Sequence, residues 1–152
     1  MLQYGLNLKD KEQLELPQYL NSGFGRRGED YIHIYVYEFE DPADGENDVL
    51  VAGKNLLSKG VETVILTLGD RGSLLLNEDG EKMIPTFDVS VVDTTAAGDS
   101  FCGVLAASLA NGKSINLSVE IANAAGALAV TKLGAEPSLP QRDAIDDLLQ
   151  SN

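Results

Sequence analysis

The chain has 152 residues, 43% of them hydrophobic and 23% charged, which fits one folded domain and excludes intrinsic disorder or a fibrous repeat. A formal net charge of -13 would repel a phosphate backbone and an anionic membrane surface, so neither nucleic acid nor membrane is expected as a partner. One cysteine, Cys102, and one histidine, His33, cannot build an internal disulfide or a structural zinc site; with no signal-like start and no apolar run of roughly 20 residues, a cytoplasmic protein is expected.

Composition changes near residue 50. Seven of the nine aromatic residues lie between Tyr4 and Phe39, whereas twelve alanines lie between Ala96 and Ala144. Residues 1–46 therefore read as a divergent segment and residues 47–152 as a regular one. In the first, NSGFGRRG (Asn21 to Gly28) reads as a loop, and YIHIYVYEF (Tyr31 to Phe39) as a strand of β-branched and aromatic residues. His33 has no partner visible in sequence, so a satisfied or surface histidine is expected there.

The second segment opens with a helix that Asn47 or Asp48 can cap, with Val49, Leu50, Leu56 and Leu57 on one face and Gly60 as its stop. Val61 to Leu68 predicts a strand, Gly69 to Gly72 a turn, and Ser73 to Asn77 a second strand. The pair Asp79-Gly80 predicts a hairpin turn into a third strand around Lys82 to Ile84. After a strand-like Val89 to Val92, helices are predicted over Gly98 to Ala110, Leu117 to Thr131 and Arg142 to Gln150. Leu117, Ile121, Ala125, Leu128 and Ala129 form a helical stripe that reads as core. Cys102 lies within an apolar helix and reads as a small buried hydrophobe. Helices and strands in this order define a layered α/β fold.

One stretch carries chemistry. DTTAAGDSF (Asp93 to Phe101) joins the VSVV run to a helix through small residues, and these allow backbone N–H groups to approach a ligand at the positive end of the helix. A phosphate suits that place. Asp99, in the first helical turn, reads either as a helix cap or as a base that accepts a proton from a substrate hydroxyl.

DTTAAGDSF resembles the second signature of the ribokinase-like (PfkB) sugar kinases, DTxGAGD followed by a small residue and Phe, with Ala96 where the pattern has glycine. KGVETVILTLGDRGSLLL (Lys59 to Leu76) and NAAGALAVTKLGAEPSLP (Asn123 to Pro140) are similar to two further blocks of the same family. The resemblance runs over about residues 47 to 150. It implies a ribokinase-like three-layer, Rossmann-like sheet, of which this chain carries the C-terminal half. It also implies an ATP-dependent sugar kinase acting on D-ribose or a related sugar. Asp99 would be the catalytic base, and the backbone of Ala96, Ala97 and Gly98 the anion hole for the transferring phosphoryl group. Thr67, Leu68, Gly69, Asp70, Arg71 and Gly72 would line the nucleotide, with Gly98 and with Asn123 on the adenine side. A monovalent cation, K+, would be held by Asp93, Thr95, Ala129, Lys132, Gly134 and Ser138, and Mg2+ would accompany ATP.

The family's sugar-binding aspartate, glycine-rich GGKGAN signature and β-lid are not recognisable, and its NxxE motif is missing from its place before the helix at Asn47. A catalytically inactive nucleotide-binding or oligomerising relative is therefore the alternative reading. Homo-oligomers are expected, because a half-sheet would leave an unpaired strand edge.

Overall fold

A computed structural model describes residues 46–151. The predicted strand at 31–39, the loop at 21–28 and His33 lie outside the described residues. Among these the order is helix α1 (Glu46–Leu57), strands β1 (Val64–Thr67), β2 (Ser73–Asn77) and β3 (Gly80–Ile84), then helices α2 (Ala97–Ala110), α3 (Ile115–Ala129) and α4 (Arg142–Gln150). Short 3-10 turns occupy Gly69–Arg71 and Glu136–Ser138.

The described strands form an antiparallel meander in the order β1-β2-β3. Val64, Ile65, Leu66 and Thr67 stand opposite Leu76, Leu75, Leu74 and Ser73. Alternation along a strand sends neighbouring side chains to opposite faces, so this register sorts the core into two layers. Val64, Leu66, Leu74 and Leu76 pack with Val49 and Leu56 of α1. Ile65, Leu75 and Ile84 pack on the other face with Phe101 and Leu105 of α2 and Val119 and Ala122 of α3. The result is helix, sheet, helix: the three-layer α/β arrangement expected. α4 closes the outer side of α3 through Ile145, which is buried with Ile121, Ala124 and Ala125.

Several element boundaries differ from expectation, each for a local reason. β1 starts at Val64 rather than Val61, its ladder with β2 opening at the pair Val64 and Leu76. In the hairpin, Gly80 already pairs with Asn77, so Glu78 and Asp79 are the loop residues. The Asp79 amide closes that loop by donating to Asn77 Oδ1 at 3.0 Å. Residues 89–92 form no strand; Val91 and Val92 are exposed, and the end of the run is tied to a helix terminus by Val92 N–H donating to Val130 O at 2.7 Å. α3 begins two residues early because Ser114 caps it, its hydroxyl accepting from Leu117 N–H at 3.4 Å. Leu117, expected in the core stripe, is exposed on the first turn of that helix. Asn47 and Asp48 are helical within α1, whose described part opens at Glu46, the first described residue.

One glycine is compulsory for the turn between β1 and β2. Gly72 has φ +90°, and a Cβ there would lie 2.2 Å from Ile84 O and 2.6 Å from Thr86 N, both backbone atoms that cannot swing away. The turn is thereby pressed against the end of β3.

Candidate functional site

The DTTAAGDSF loop is organised by its first residue. The Asp93 carboxylate accepts from Thr95 N–H at 3.0 Å and Thr95 Oγ1–H at 2.7 Å through one oxygen, and from Gly134 N–H at 2.8 Å through the other. The last of these bonds joins positions 41 residues apart, so the loop before α2 and the loop after α3 are fixed to each other. The Thr95 hydroxyl, then the backbone N–H groups of Gly134 and Thr95, hold the Asp93 carboxyl below its ordinary value of 3.8. Val130 O, accepting from both Val92 and Asp93 N–H, anchors the same junction.

From this brace the chain turns sharply into α2. Ala96 is the N-cap and takes φ 64°, ψ 7°, the left-handed region; it is the one non-glycine residue with positive φ among the described residues. The family signature has glycine at this position, and the geometry supplies the reason, since an L-residue is strained in that conformation. Ser100 N–H donates to Ala96 O at 2.8 Å and starts the helical ladder. The N–H groups of Gly98 and Asp99 precede it and have no intrahelical carbonyl to reach. Ala97 N–H, by contrast, donates to Thr94 O at 3.2 Å. Of the three residues expected to form the anion hole, Ala97 has its amide engaged by Thr94 O, while Gly98 and Asp99 present theirs at the start of the helix. Asp99 is exposed in the first turn of α2.

The Gly69–Gly72 turn is stiff. Leu68 N–H donates to Gly72 O at 2.8 Å, Arg71 N–H to Leu68 O at 3.2 Å and Gly72 N–H to Gly69 O at 3.1 Å. Gly69, Asp70 and Arg71 are exposed, Thr67 is half-buried, and Leu68 is a core residue against α1 that could meet a ligand only through its backbone.

Asn123 is buried in α3. Its side chain accepts from Ser73 Oγ–H at 2.6 Å and donates to Ile84 O at 3.0 Å and Pro85 O at 3.2 Å, deep in the contact between α3 and the sheet. In this arrangement the amide ties α3 to the sheet. Neither Ser73 nor Gly126 was singled out in the sequence. Ser73 hides in an otherwise ordinary strand, and Gly126 in a run of alanines whose smallness alone hints at close helix packing.

Of the residues expected around a cation, Asp93, Thr95 and Gly134 are brought together. Ser138 is fully buried but donates its hydroxyl to Ala135 O at 2.7 Å. Ala129 is buried, its carbonyl accepting from Lys132 N–H at 3.4 Å, and the Lys132 side chain is exposed. What the junction offers is oxygen alone, one ionised carboxylate and backbone carbonyls, a donor set that fits a hard monovalent cation. No cluster of three metal-ligating side chains occurs among the described residues, so no magnesium ligands can be named there. Cys102 is half-buried, and burial, followed by the nearby Asp99 carboxylate, pushes its thiol up to about 11, leaving it protonated and unreactive at neutral pH. No helix among the described residues is long and apolar enough to cross a membrane.

Comparison with known structures defines the class of fold. The ribokinase of Thermotoga maritima superposes with a TM-score of 0.67 at 35% identity, covering 77% of this chain and 42% of that one. The ribokinase of Arabidopsis thaliana complexed with ribose and ATP superposes with a TM-score of 0.69 at 29% identity, covering 77% and 40%. The fold is ribokinase-like, present in part. Residues 36–142 match the model of the pfkB family carbohydrate kinases, and the chain belongs to that family. A ribokinase of Haemophilus influenzae is 36% identical over 105 residues, 69% of this chain and 34% of that protein, so the chain spans about a third of this relative's length.

Two outcomes follow from the loop. Ala96→Gly should raise the urea midpoint, adding about 0.5–1 kcal/mol of stability, because relief of the left-handed strain outweighs the extra entropy glycine loses on folding; a lower midpoint would contradict the strain. The Asp93 carboxyl, lowered in the folded state, binds fewer protons there than in the unfolded chain. Its contribution is complete above pH 3.8 and is lost as pH falls through the lower folded value. Thermal unfolding of Asp93→Asn across that acid range should therefore show a shallower decline than the unmutated chain, and parallel curves would remove Asp93 as the brace.

Proposed function

We propose that this chain is the nucleotide-binding and base-carrying part of an ATP-dependent sugar kinase. The observation that supports it most is the convergence on α3 of the two loops a nucleotide would need. Asn123 meets the β2 end of the Gly69–Gly72 turn, and Ala125 and Gly126 meet the start of α2. Gly98 and Asp99 offer unladdered N–H groups at a helix N-terminus, where an anionic phosphoryl group is favoured.

In this reading the polyphosphate of ATP lies between the turn and the α2 N-terminus. Asp99 accepts the proton of the sugar's primary hydroxyl as its oxygen bonds to the γ-phosphorus. The bond from that phosphorus to the bridging oxygen breaks, and ADP leaves carrying the electron pair. The N–H groups hold the charge that collects on the transferring group, and positioning supplies most of the rate. A monovalent cation held by Asp93 and carbonyls of the 129–138 loop would add fixed positive charge beside that point. D-Ribose or a related sugar is the proposed acceptor, since the relatives named above are ribokinases and one of them is complexed with ribose and ATP. The signature residues that would grip a sugar are not recognisable in the sequence, which favours an inactive nucleotide-binding relative as the second reading.

Asp99→Asn separates the two. Assayed with ATP, ribose, Mg2+ and K+, the unmutated chain should transfer phosphate and the variant should lose on the order of 10² to 10⁴-fold in kcat, with ATP affinity by calorimetry little changed. Absence of transfer by the unmutated, folded chain together with tight ATP binding would establish the inactive reading instead.

A further inference from the structure

The chain holds one Asn-Gly pair, Asn111-Gly112, and it sits where α2 ends. Asn111 is the C-cap, and Gly112 follows it at φ +76°, the left-handed conformation that favours glycine. Gly112 N–H donates to Leu109 O at 2.9 Å and Lys113 N–H to Ser108 O at 3.2 Å, the paired bonds of a Schellman ending. The Asn111 side chain adds a bond of its own, Nδ2–H donating to Ala107 O at 2.7 Å.

The residue this ending requires is also the one that makes its neighbour reactive. An asparagine amide is lost spontaneously when the next backbone nitrogen, its proton taken by hydroxide, attacks Cγ. The N–Cγ bond forms, the Cγ–Nδ2 bond breaks, and ammonia leaves. Water then opens the cyclic imide at either carbonyl, giving aspartate or isoaspartate. A side chain on the attacking residue obstructs that approach, and glycine has none. Asn111 and Gly112 are both exposed, so water and hydroxide reach them. The folded geometry nevertheless opposes ring closure. The proton of Gly112 N–H is held by Leu109 O, and the nitrogen that must leave is held by Ala107 O. At ψ 10° the Asn111 Cβ and the Gly112 nitrogen stand well apart about the Cα–C bond, whereas the ring needs them eclipsed. Fraying of the last turn undoes all of this at once.

We propose that Asn111 is a deamidation site gated by the C-terminal turn of α2, closed while the Schellman ending is formed and open when it frays. The product weakens its own gate. A carboxylate at this position cannot donate to Ala107 O, and its charge lies at the negative end of the helix dipole. Chemical ageing at one end of α2 thereby loosens the helix whose other end presents Gly98 and Asp99. None of this depends on the nucleotide reading.

The test is peptide mapping by mass spectrometry of the full chain kept in mildly alkaline buffer, folded and in urea, following the Asn111 peptide for the mass change of an amide replaced by an acid. Asn111 should deamidate in urea and do so about tenfold to a hundredfold more slowly in the folded chain, the protection that a few net hydrogen bonds supply. Ala110→Gly lowers the helix propensity of the last turn and leaves the reacting atoms in place. With its fold checked by circular dichroism, it should deamidate about fivefold faster than the unmutated folded chain and within about twofold of it in urea. Asn111→Asp, the product made directly, should unfold at a lower temperature than the unmutated chain. Equal rates in the folded and the urea-unfolded chain, or a folded rate that Ala110→Gly leaves unchanged, would overturn the gate. An Asn111 that stays intact in urea would overturn the site, and an Asn111→Asp midpoint at or above that of the unmutated chain would overturn the weakening by its product.

Discussion

Strand β2 is buried on both of its faces, and the rest of the described structure is arranged around that constraint. Leu74 and Leu76 must be covered on one side and Ser73 and Leu75 on the other, so a helix layer is required on each. α1 supplies the first. α2 and α3 supply the second, and their backbones approach closely where Ser100 meets Ala125 and Ala97 meets Gly126. β3 escapes the constraint: Glu81, Lys82 and Met83 are exposed, and Glu81 pairs at 3.1 Å with Lys54 of α1, an ion pair open to water and of small energetic weight.

Function is assembled at the places where these layers are interrupted. The turn that brings β1 into β2 and the loop that leads into α2 are both irregular backbone, and both are held by contacts unusual for loops: a glycine pinned between backbone atoms in one, a triply bonded carboxylate in the other. α3 links them. The arrangement sets backbone N–H groups at a helix terminus beside Asp99, the exposed acid of the first turn. A scaffold of this kind suits phosphoryl transfer, in which holding charged groups at fixed positions does most of the work.

Much of this was legible in the sequence because local signals and packing agree. The SLLLN run, the Arg142 to Gln150 helix and the small-residue entry to α2 carry patterns that the tertiary structure had no reason to override. The left-handed residue at the loop was marked by the family signature's glycine, even though this chain has Ala96 there. Other features left no trace in a one-dimensional pattern. β1 opens three residues later than its apolar run, and the strand-like Val89 to Val92 run forms no ladder among the described residues, its last amide bonding instead to Val130 O. The nucleotide role of Asn123 is implied by the family resemblance alone; its partners in the fold, Ser73 and the carbonyls of Ile84 and Pro85, are 50, 39 and 38 residues away and become visible only in three dimensions.

The central claim is that the turn and the helix-entry loop form one anion-binding nucleotide site on a common helix. Titration of ¹⁵N-labelled chain with ADP, followed by amide chemical shifts, tests it most directly. The account predicts that the amides of Gly98 and Asp99 and those of Gly69 to Gly72 shift together, with one dissociation constant, while the amides of α4 stay in place. Shifts confined to one of the two segments, or two segments titrating with different constants, would contradict it.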